Sequence, residues 1–236
     1  MSTLQGKIVL VVGGSSGIGF AVAKYAIISH AVDTTVKELT ATKAELKLPG
    51  EVDGEIVDGE ESASVKSLVN RIGEIDHLVW TSGDSIGPSM TPNTNPFESS
   101  DVFDVRFWGA IIAAQNAKFR SGGSVILTTG VPVKKPPPGY SVIAGIGGAI
   151  DAVVRGLAVD LAPIRVNAVS PGVVDTEIWG NLPVETKNKI MEDTKAKLLV
   201  KHVAKPEEIA EAYIFLMKCE YITGQRIDVD GGNSYA

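Results

Sequence analysis

Residues 7–19 read KIVLVVGGSSGIG, a continuous apolar run that ends abruptly in glycines. A run without polar alternation predicts a strand buried on both faces, over Lys7–Val12. The helical periodicity that follows predicts a helix over Ser16–Ser29. A glycine-rich turn between a buried strand and a helix is typical of a dinucleotide site, because the helix N-terminus offers free N–H groups to a pyrophosphate. The alternative is a plain strand–helix turn.

Three glycines of this turn have predicted structural roles. Gly13 permits the tight turn, Gly17 lets the backbone approach a pyrophosphate, and Gly19 allows the helix to pack closely on the strand. The predicted nucleotide cradle consists of Gly13, Ser15, Ser16, Gly17, Ile18 and Gly19.

Short apolar runs alternate with helical stretches along the rest of the chain. The predicted strands are Glu55–Val57, His77–Trp80, Ser124–Thr128, Ile164–Val169 and Arg226–Val229. The predicted helices are Ser62–Ile72, Phe97–Lys118 with a break near Gly109, Val142–Leu161 and Pro206–Met217. This alternation predicts an α/β fold with a doubly wound parallel sheet of the Rossmann type. No segment has the composition of a linker, so residues 1–236 are predicted to form one domain.

Composition argues against several classes of function. The net charge is −6 with no run of Lys or Arg, which disfavours a nucleic-acid surface or an anionic membrane as partner. One cysteine, Cys219, and three scattered histidines predict neither disulfides nor a metal site. The first apolar run is too short for a signal peptide or a membrane span, so a cytoplasmic protein is expected.

The turn has the spacing Gly-x-x-x-Gly-Ile-Gly, and three later segments accompany it in order. They are Thr81-Ser82-Gly83, Asn167–Thr176, and Thr223–Gln225 with Asp228–Gly232. Together they resemble the short-chain dehydrogenase/reductase family almost from end to end. The resemblance implies an oxidoreductase that binds a nicotinamide dinucleotide.

The resemblance also implies a set of cofactor-binding residues outside the turn. Asp58 would contact the adenine, and Pro171 and Gly172 would shape the turn beside the nicotinamide. The Val174 backbone and the Thr176 hydroxyl would hold the carboxamide. The remaining candidates stand in the family's Asn-Ala-Gly segment and are Thr81, Ser82 and Gly83.

Residues 30–39 read HAVDTTVKEL, which is too short and too polar to predict the second strand of such a fold. This region should carry the residue that distinguishes NAD from NADP. Asp33 is either an acid that binds the ribose or an ordinary surface residue.

The resemblance implies a catalytic set of Asn, Ser, Tyr and Lys, and this chain lacks most of it. Aligning Ala149–Ala158 with the family helix places the Lys at Gly147 and the Tyr at Ile143. The Asn falls at Arg106, and the Ser falls at Thr129 or Gly130. A phenol without a nearby cation keeps a pKa of about 10, so alcohol oxidation, which needs a base, is disfavoured. Hydride donation to a cationic acceptor such as an iminium needs no Tyr–Lys pair.

Other residues are candidates to replace the missing set. Arg106 is predicted to donate hydrogen bonds to a carbonyl or lactam oxygen; the alternative is an ion pair with Asp101 or Asp104. Thr129 retains a hydroxyl, and Tyr140 follows a rigid Pro-rich loop that would hold it over the pocket mouth. The alternative for Tyr140 is a surface aromatic.

Two further residues are predicted to bind substrate. Trp179 opens a predicted substrate lid over Glu177–Lys205, and Pro137 lies in the Pro-rich loop. The alternative for Trp179 is packing within the lid, whereas Trp108 is expected to pack in the core. Aromatic side chains on several sides suit a large, flat, apolar substrate such as an indole.

The pattern is most similar to a group of fungal enzymes derived from the same family. They use NADPH to reduce an iminium or dehydropiperazine and direct an intramolecular Diels–Alder closure to bicyclic diazaoctane indole alkaloids. Their Pro-Asp-Pro-Gly-Trp loop corresponds to Pro136–Tyr140, where Pro137 replaces the Asp. Two alternatives stay open: an NADPH-dependent carbonyl reductase that uses Tyr140, and a non-catalytic nucleotide-binding partner protein.

The family resemblance further implies a homodimer or homotetramer. Long helices, here Phe97–Lys118 and Val142–Leu161, pair across two-fold axes in that family. Small residues on the second helix would allow close approach, namely Ala144, Gly145, Gly148 and Ala152.

Overall fold

The computed structural model describes residues 4–26, 29–30, 52–83 and 102–236. Seven parallel strands form one sheet in the order β3-β2-β1-β4-β5-β6-β7. The strands are β1 Val9–Val12, β2 Ser29–His30, β3 Val52–Asp53, β4 Glu74–Trp80, β5 Lys118–Thr128, β6 Arg165–Pro171 and β7 Arg226–Val229. The strand order reverses between β1 and β4, which is where open α/β sheets bind ligands. The predicted doubly wound α/β fold is confirmed.

Helices cover both faces of the sheet. They are α1 Gly17–Ala26, α2 Ser62–Ile72, α3 Ala110–Asn116, α4 Ser141–Asp160, α5 Val184–Lys197 and α6 Pro206–Lys218. A π-helical stretch, Asp104–Gly109, leads directly into α3. One apolar core lies between the sheet and α2, α3 and α4. The other lies between the sheet and α1 and α6.

The first half of the chain corrects three predicted boundaries. The first helix ends at Ala26 rather than Ser29, because Ser29–His30 is a strand that pairs with Val9–Leu10 of β1. A second strand is therefore present where none was predicted, although Asp33 lies outside the described residues. Glu55–Val57 is not a strand; the strand is Val52–Asp53, directly before it.

The predicted long helix over Phe97–Lys118 is also corrected within the described residues. Helical structure ends at Asn116, and Lys118 already belongs to β5. The irregularity expected near Gly109 is the π-helical stretch that ends there. Trp108 is 52% exposed, so the prediction that it packs in the core is wrong.

Helix α4 is long and apolar enough to span a bilayer when only its length and composition are considered. In this fold it packs along the sheet. Its buried residues are Ile143, Ile146, Gly147, Ile150, Val154 and Leu157. Its position in the core accounts for its apolar character.

Candidate functional site

The glycine-rich turn lies at the carboxyl end of β1. Gly13 and Gly17 have positive φ angles of +86° and +53°, which glycine adopts without steric cost. A Cβ atom on Gly13 would lie 2.6 Å from the Ser82 backbone nitrogen. A Cβ atom on Gly19 would lie less than 3.0 Å from the Gly13 carbonyl oxygen. The first turn of α1 therefore packs directly against the end of β1, as the sequence predicted.

The end of β4 forms the adjacent wall. The Thr81 hydroxyl donates to the Val12 carbonyl oxygen at 3.0 Å, and the Thr81 N–H donates to the same oxygen at 2.9 Å. Ser82 follows against Gly13. This wall brings the Thr81-Ser82-Gly83 segment to the glycine-rich turn, where the cofactor-binding prediction placed it.

The segment after β6 closes the groove from the other side. The Gly172 N–H donates to the Val229 carbonyl oxygen at 2.9 Å, and a Cβ atom on Gly172 would lie 2.8 Å from Asp230 Cα. Further on, Thr176 reaches the glycine-rich turn, since a Cβ atom on Gly17 would lie 3.2 Å from Thr176 Cγ2. Two segments more than 150 residues apart thus form one groove, and each of these glycines lies at a close protein contact that a Cβ atom would crowd.

Asp58 lies apart from these contacts, after β3. Its side chain is exposed, and Oδ1 accepts a hydrogen bond from the Glu60 N–H at 3.0 Å. The Asp58 N–H donates to Ser64 Oγ at 3.1 Å. These bonds fix the loop that holds Asp58; adenine contact by this carboxylate stays a prediction.

A cavity of about 40 Å³ lies beside this groove. It is lined by Arg106, Thr128, Thr129, Gly130, Pro132, Val133, Ile143, Ile146, Gly147 and Ile150. All the positions that the alignment assigned to the family's catalytic residues are in that set. Among the described residues that line it, Arg106 has the one ionisable side chain.

Arg106 reaches the cavity from the π-helical stretch. Its side chain covers the backbone of Gly83, where a Cβ atom would lie 2.6 Å from Nη1 and 2.8 Å from Cγ. The guanidinium therefore lies between the end of β4 and the cavity. A planar guanidinium in this place can offer N–H donors to a carbonyl oxygen.

Two threonines at the end of β5 line the cavity but differ in their contacts. Thr128 donates to the Trp80 carbonyl oxygen at 2.6 Å and is bonded to the Tyr213 hydroxyl at 2.8 Å, so its hydroxyl is committed to the core. Thr129 Oγ1 accepts from the Gly130 N–H. The Thr129 hydroxyl hydrogen is therefore available for a further acceptor in the cavity.

Three predicted site residues do not line the cavity within the described part of the chain. Tyr140 directly precedes α4 and packs against the core, with its N–H donating to the Pro137 carbonyl oxygen at 3.1 Å. Pro137 itself is exposed. Trp179 donates its indole N–H to the Val174 carbonyl oxygen at 2.8 Å, which ties the lid to the strand end.

The lid itself is held mainly by its ends. Helix α5 has no buried residue, and Lys187 forms an ion pair with Asp175 at 2.7 Å. After α5, Leu198 is buried and the Leu199 N–H donates to the Gly231 carbonyl oxygen at 3.1 Å. The lid is therefore joined to the groove at Asp175 and at Gly231.

Sequence reasoning missed the apolar lining of the cavity. Pro132 and Val133 come from a short 3₁₀ turn, Val131–Val133, and Ile146 and Ile150 come from α4. The sequence carried no signal for the contact at Gly147, because the same helix has three further glycines that face open space. Among the described residues, no group of three or more His, Cys, Asp and Glu side chains is placed to hold a metal.

Comparison with known proteins assigns the family. The model described as Enoyl-(Acyl carrier protein) reductase matches residues 13–234. The chain is 36% identical to short-chain dehydrogenase/reductase ATR9 of Stachybotrys chlorohalonatus, over 98% of each chain. This chain is a short-chain dehydrogenase/reductase. The resemblance read from the motifs is thereby confirmed.

Other similar proteins include solved structures. Short-chain dehydrogenase/reductase malC of Malbranchea aurantiaca is 30% identical over 97% of this chain and 95% of its own. The structure of MalC Reductase/Diels-Alderase from that organism has a TM-score of 0.87, with 29% identity over 97% and 96% of the two chains. A small-chain dehydrogenase in complex with NADPH has a TM-score of 0.82, with 32% identity over 98% and 99%.

Proposed function

We propose that this short-chain dehydrogenase/reductase is an NADPH-dependent enzyme of fungal secondary metabolism. Its acceptor is an iminium or dehydropiperazine, and it directs an intramolecular Diels–Alder closure of the product or of the unreduced precursor. The observation that carries the proposal is the cavity at the catalytic positions, whose described lining offers Arg106 and Thr129 but no carboxyl, imidazole, phenol or amine.

The groove beside the cavity provides the cofactor site. The glycine-rich turn would hold the pyrophosphate, Thr81–Gly83 and Asp58 would hold the adenosine half, and Val174 with Thr176 would hold the nicotinamide. NADPH supplies a hydride when bound. The solved relative in complex with NADPH supports this cofactor.

Arg106 and Thr129 would orient the acceptor. The guanidinium offers fixed N–H donors and the Thr129 hydroxyl offers a further donor to a carbonyl or lactam oxygen. The apolar side chains of Ile143, Ile146 and Ile150 line the cavity beside these donors, and a less polar surrounding strengthens the hydrogen bonds. None of these groups titrates near neutral pH, so the site suits an acceptor that needs no proton from the protein.

Similarity to MalC supports the Diels–Alder part of the proposal, because the solved MalC structure carries the name Reductase/Diels-Alderase. The chain departs from that group at Pro137, which stands where the group has an Asp. A cyclisation directed by this chain would therefore proceed without a loop carboxyl group as acid.

The decisive experiment uses a reactive azadiene or iminium precursor that bears an indole. We expect the chain with NADPH to consume it faster than buffer does, with an altered stereochemical ratio of products, as measured by chiral chromatography. Omission of NADPH separates reduction from cyclisation. A rate and a product ratio equal to those in buffer would reject the proposal.

We also propose that the chain forms a homodimer or homotetramer through α4. A Cβ atom on Gly145 or Gly148 would meet nothing within 4 Å, and Val159 on the same helix is 77% exposed. Light scattering during size exclusion tests this, and a monomeric mass at micromolar concentration would contradict it.

A further inference from the structure

Val133 and Gly147 form a close pair at the floor of the cavity. A Cβ atom on Gly147 would lie less than 3.0 Å from Val133 Cγ2, a separation that real Cβ atoms essentially never show. Three other glycines of α4 differ from it, since Gly145, Gly148 and Gly156 face open space. The missing side chain at Gly147 thus leaves the space that a methyl group of Val133 occupies.

The turn that carries Val133 is held in place. The Val133 N–H donates to the Gly130 carbonyl oxygen at 3.2 Å, and the Lys134 N–H donates to the Val131 carbonyl oxygen at 2.9 Å. Lys134 also forms an ion pair with Asp228 of β7. The two backbone bonds close the turn on itself, and the ion pair joins its end to β7.

Further ion pairs connect Asp228, the partner of Lys134, to the helix that carries Gly147. Arg226 Nε lies 3.1 Å from Asp228 Oδ1, and Arg226 Nη1 lies 3.6 Å from Asp151 Oδ1 on α4. The turn and the helix are therefore both fixed to β7. These charged groups therefore connect the turn that carries Val133 with the helix that carries Gly147.

We infer that Val133 is a specificity-determining residue that limits how much of a substrate enters the cavity. Val133 and Pro132 line the cavity together with Ile143, Ile146 and Ile150. The volume that remains, about 40 Å³, holds only about three water molecules. The cavity is open on one side, so the bulk of a substrate can stay outside it.

The substrate class follows from this volume and from the polar groups that border it. The cavity admits one unbranched carbonyl or lactam edge, directed at Arg106 and Thr129, while the bulk of the substrate stays outside. This deepens the function proposed above and rests on it. Branching next to the carbonyl group would collide with Val133.

The contact itself can be tested without any ligand, through a double-mutant cycle followed by thermal unfolding. We expect Gly147→Ala to lower Tm by about 3–10 °C, because Val133 must shift. In the Val133→Ala background the same substitution should leave Tm unchanged or raise it, since alanine favours the helix. Gly156→Ala, on the same helix but facing open space, is the matched control and should not lower Tm.

An equal loss of Tm from Gly147→Ala in both backgrounds would overturn the proposed contact. Should the single variant fail to fold, recovery of folded protein in the Val133→Ala, Gly147→Ala double variant reports the same contact. Failure of both to fold would contradict it, because removing the valine methyl groups should create the missing space.

The specificity is tested with two lactam probes, 2-piperidinone and 3,3-dimethyl-2-piperidinone, titrated by ligand-observed NMR in the presence of NADP⁺. Wild-type protein should bind the dimethyl probe at least about 10-fold more weakly than the parent lactam. Val133→Ala should reduce this ratio to less than about 3-fold, because it removes two methyl groups where the probe adds two. Val131→Ala, in the same turn but outside the cavity lining, is the control and should keep the wild-type ratio.

An unchanged ratio in Val133→Ala would overturn the role of Val133 while leaving the proposed function intact. A wild-type protein that binds neither lactam would instead reject the lactam-edge part of the proposed function and, with it, this substrate class. The double-mutant cycle measured by thermal unfolding separates the two cases, since it requires no ligand.

Discussion

The guanidinium of Arg106 lies directly against Gly83, at the end of the strand that lines the nucleotide groove. A Cβ atom on Gly83 would lie 2.6 Å from Arg106 Nη1, so the arginine reaches the cavity only because position 83 has no side chain. This contact joins a residue predicted to bind cofactor to a residue predicted to bind substrate. It explains how a side chain as long as arginine is accommodated at a position where the family has an asparagine.

Arg106→Ala should impair turnover far more than cofactor binding. Loss of a preorganised donor should lower kcat/KM for a lactam-containing iminium by about 10²–10³-fold, while the Kd for NADPH changes by less than about 3-fold. Steady-state kinetics and a fluorescence titration measure the two effects. The control is Arg155→Ala, an exposed arginine paired with Asp151. Equal losses in both measurements would mean that Arg106 acts through the cofactor instead.

Gly19→Ala should weaken NADPH binding by at least about 10-fold, equivalent to about 1.4 kcal/mol. The added methyl group would lie less than 3.0 Å from the Gly13 carbonyl oxygen, so the turn that cradles the pyrophosphate must move. Quenching of tryptophan fluorescence by NADPH measures the affinity. Gly148→Ala adds the same methyl group in open space and should retain the wild-type affinity. Undiminished binding by Gly19→Ala would show that the cofactor lies elsewhere.

His77 should make the fold sensitive to mild acid. Its side chain is 3% exposed and bonded to Ser124 Oγ at 2.9 Å, and burial lowers its pKa from 6.5 to about 4. The unfolded chain therefore binds a proton that the folded chain rejects, and stability falls as pH drops from about 6.5 to about 4. The full loss is about 3 kcal/mol.

Urea unfolding between pH 7 and pH 4 measures this loss, and His77→Asn should flatten the profile. Burial raises the pKa of nearby Asp76, but bonds from the Ile8 N–H and Lys7 outweigh it, so that its net pKa lies below 3.8. Protonation of Asp76 therefore affects stability only below the pH range of this measurement. Exposed His202, whose hydrogen bond to Glu208 raises its pKa, contributes stability that is lost as pH rises. A profile that stays steep in His77→Asn would assign the effect to other groups.

Tyr140→Phe should leave the reduction of any accepted substrate within about 3-fold of wild type. Tyr140 directly precedes α4 and packs against the core, outside the described lining of the cavity. Kinetics at several pH values provide the measurement. A large loss of ketone reduction in Tyr140→Phe would support the carbonyl reductase alternative, in which this phenol donates the proton.

The sequence predicted best the elements that have a clear apolar pattern and polar residues at both ends. Ser62–Ile72 and Arg226–Val229 have the predicted bounds, because apolar periodicity and flanking polar residues mark both ends. Strands β2 and β3 have two residues each, too few for any period, and their existence depends on pairing with neighbours. The start of β5 was not predicted as strand, because Lys118–Gly123 is polar and glycine-rich and lies largely at the surface.

Residues of the candidate site were also predicted better where a regular element determines their spacing. Alignment of the family helix with α4 correctly predicted that Ile143 and Gly147 lie at the site, because the spacing of residues along a helix is fixed. Both residues line the cavity, as do Arg106 and Thr129. Tyr140 and Pro137 were placed by analogy with a loop, and loops carry no such spacing rule. Val133 was missed because its contact with Gly147 depends on how a 3₁₀ turn folds back, which tertiary packing decides.

The central claim is that the nucleotide cradle is intact while the catalytic positions beside it hold no group that exchanges protons. The most direct measurement compares single-turnover oxidation of bound NADPH by an N-alkylated cyclic iminium, which has no N–H proton to lose, and by a simple ketone, cyclohexanone, from pH 6 to pH 9. We predict a pH-independent reaction with the iminium and none above buffer with the ketone. Ketone reduction at a comparable rate, titrating with a single pKa in that range, would contradict the account.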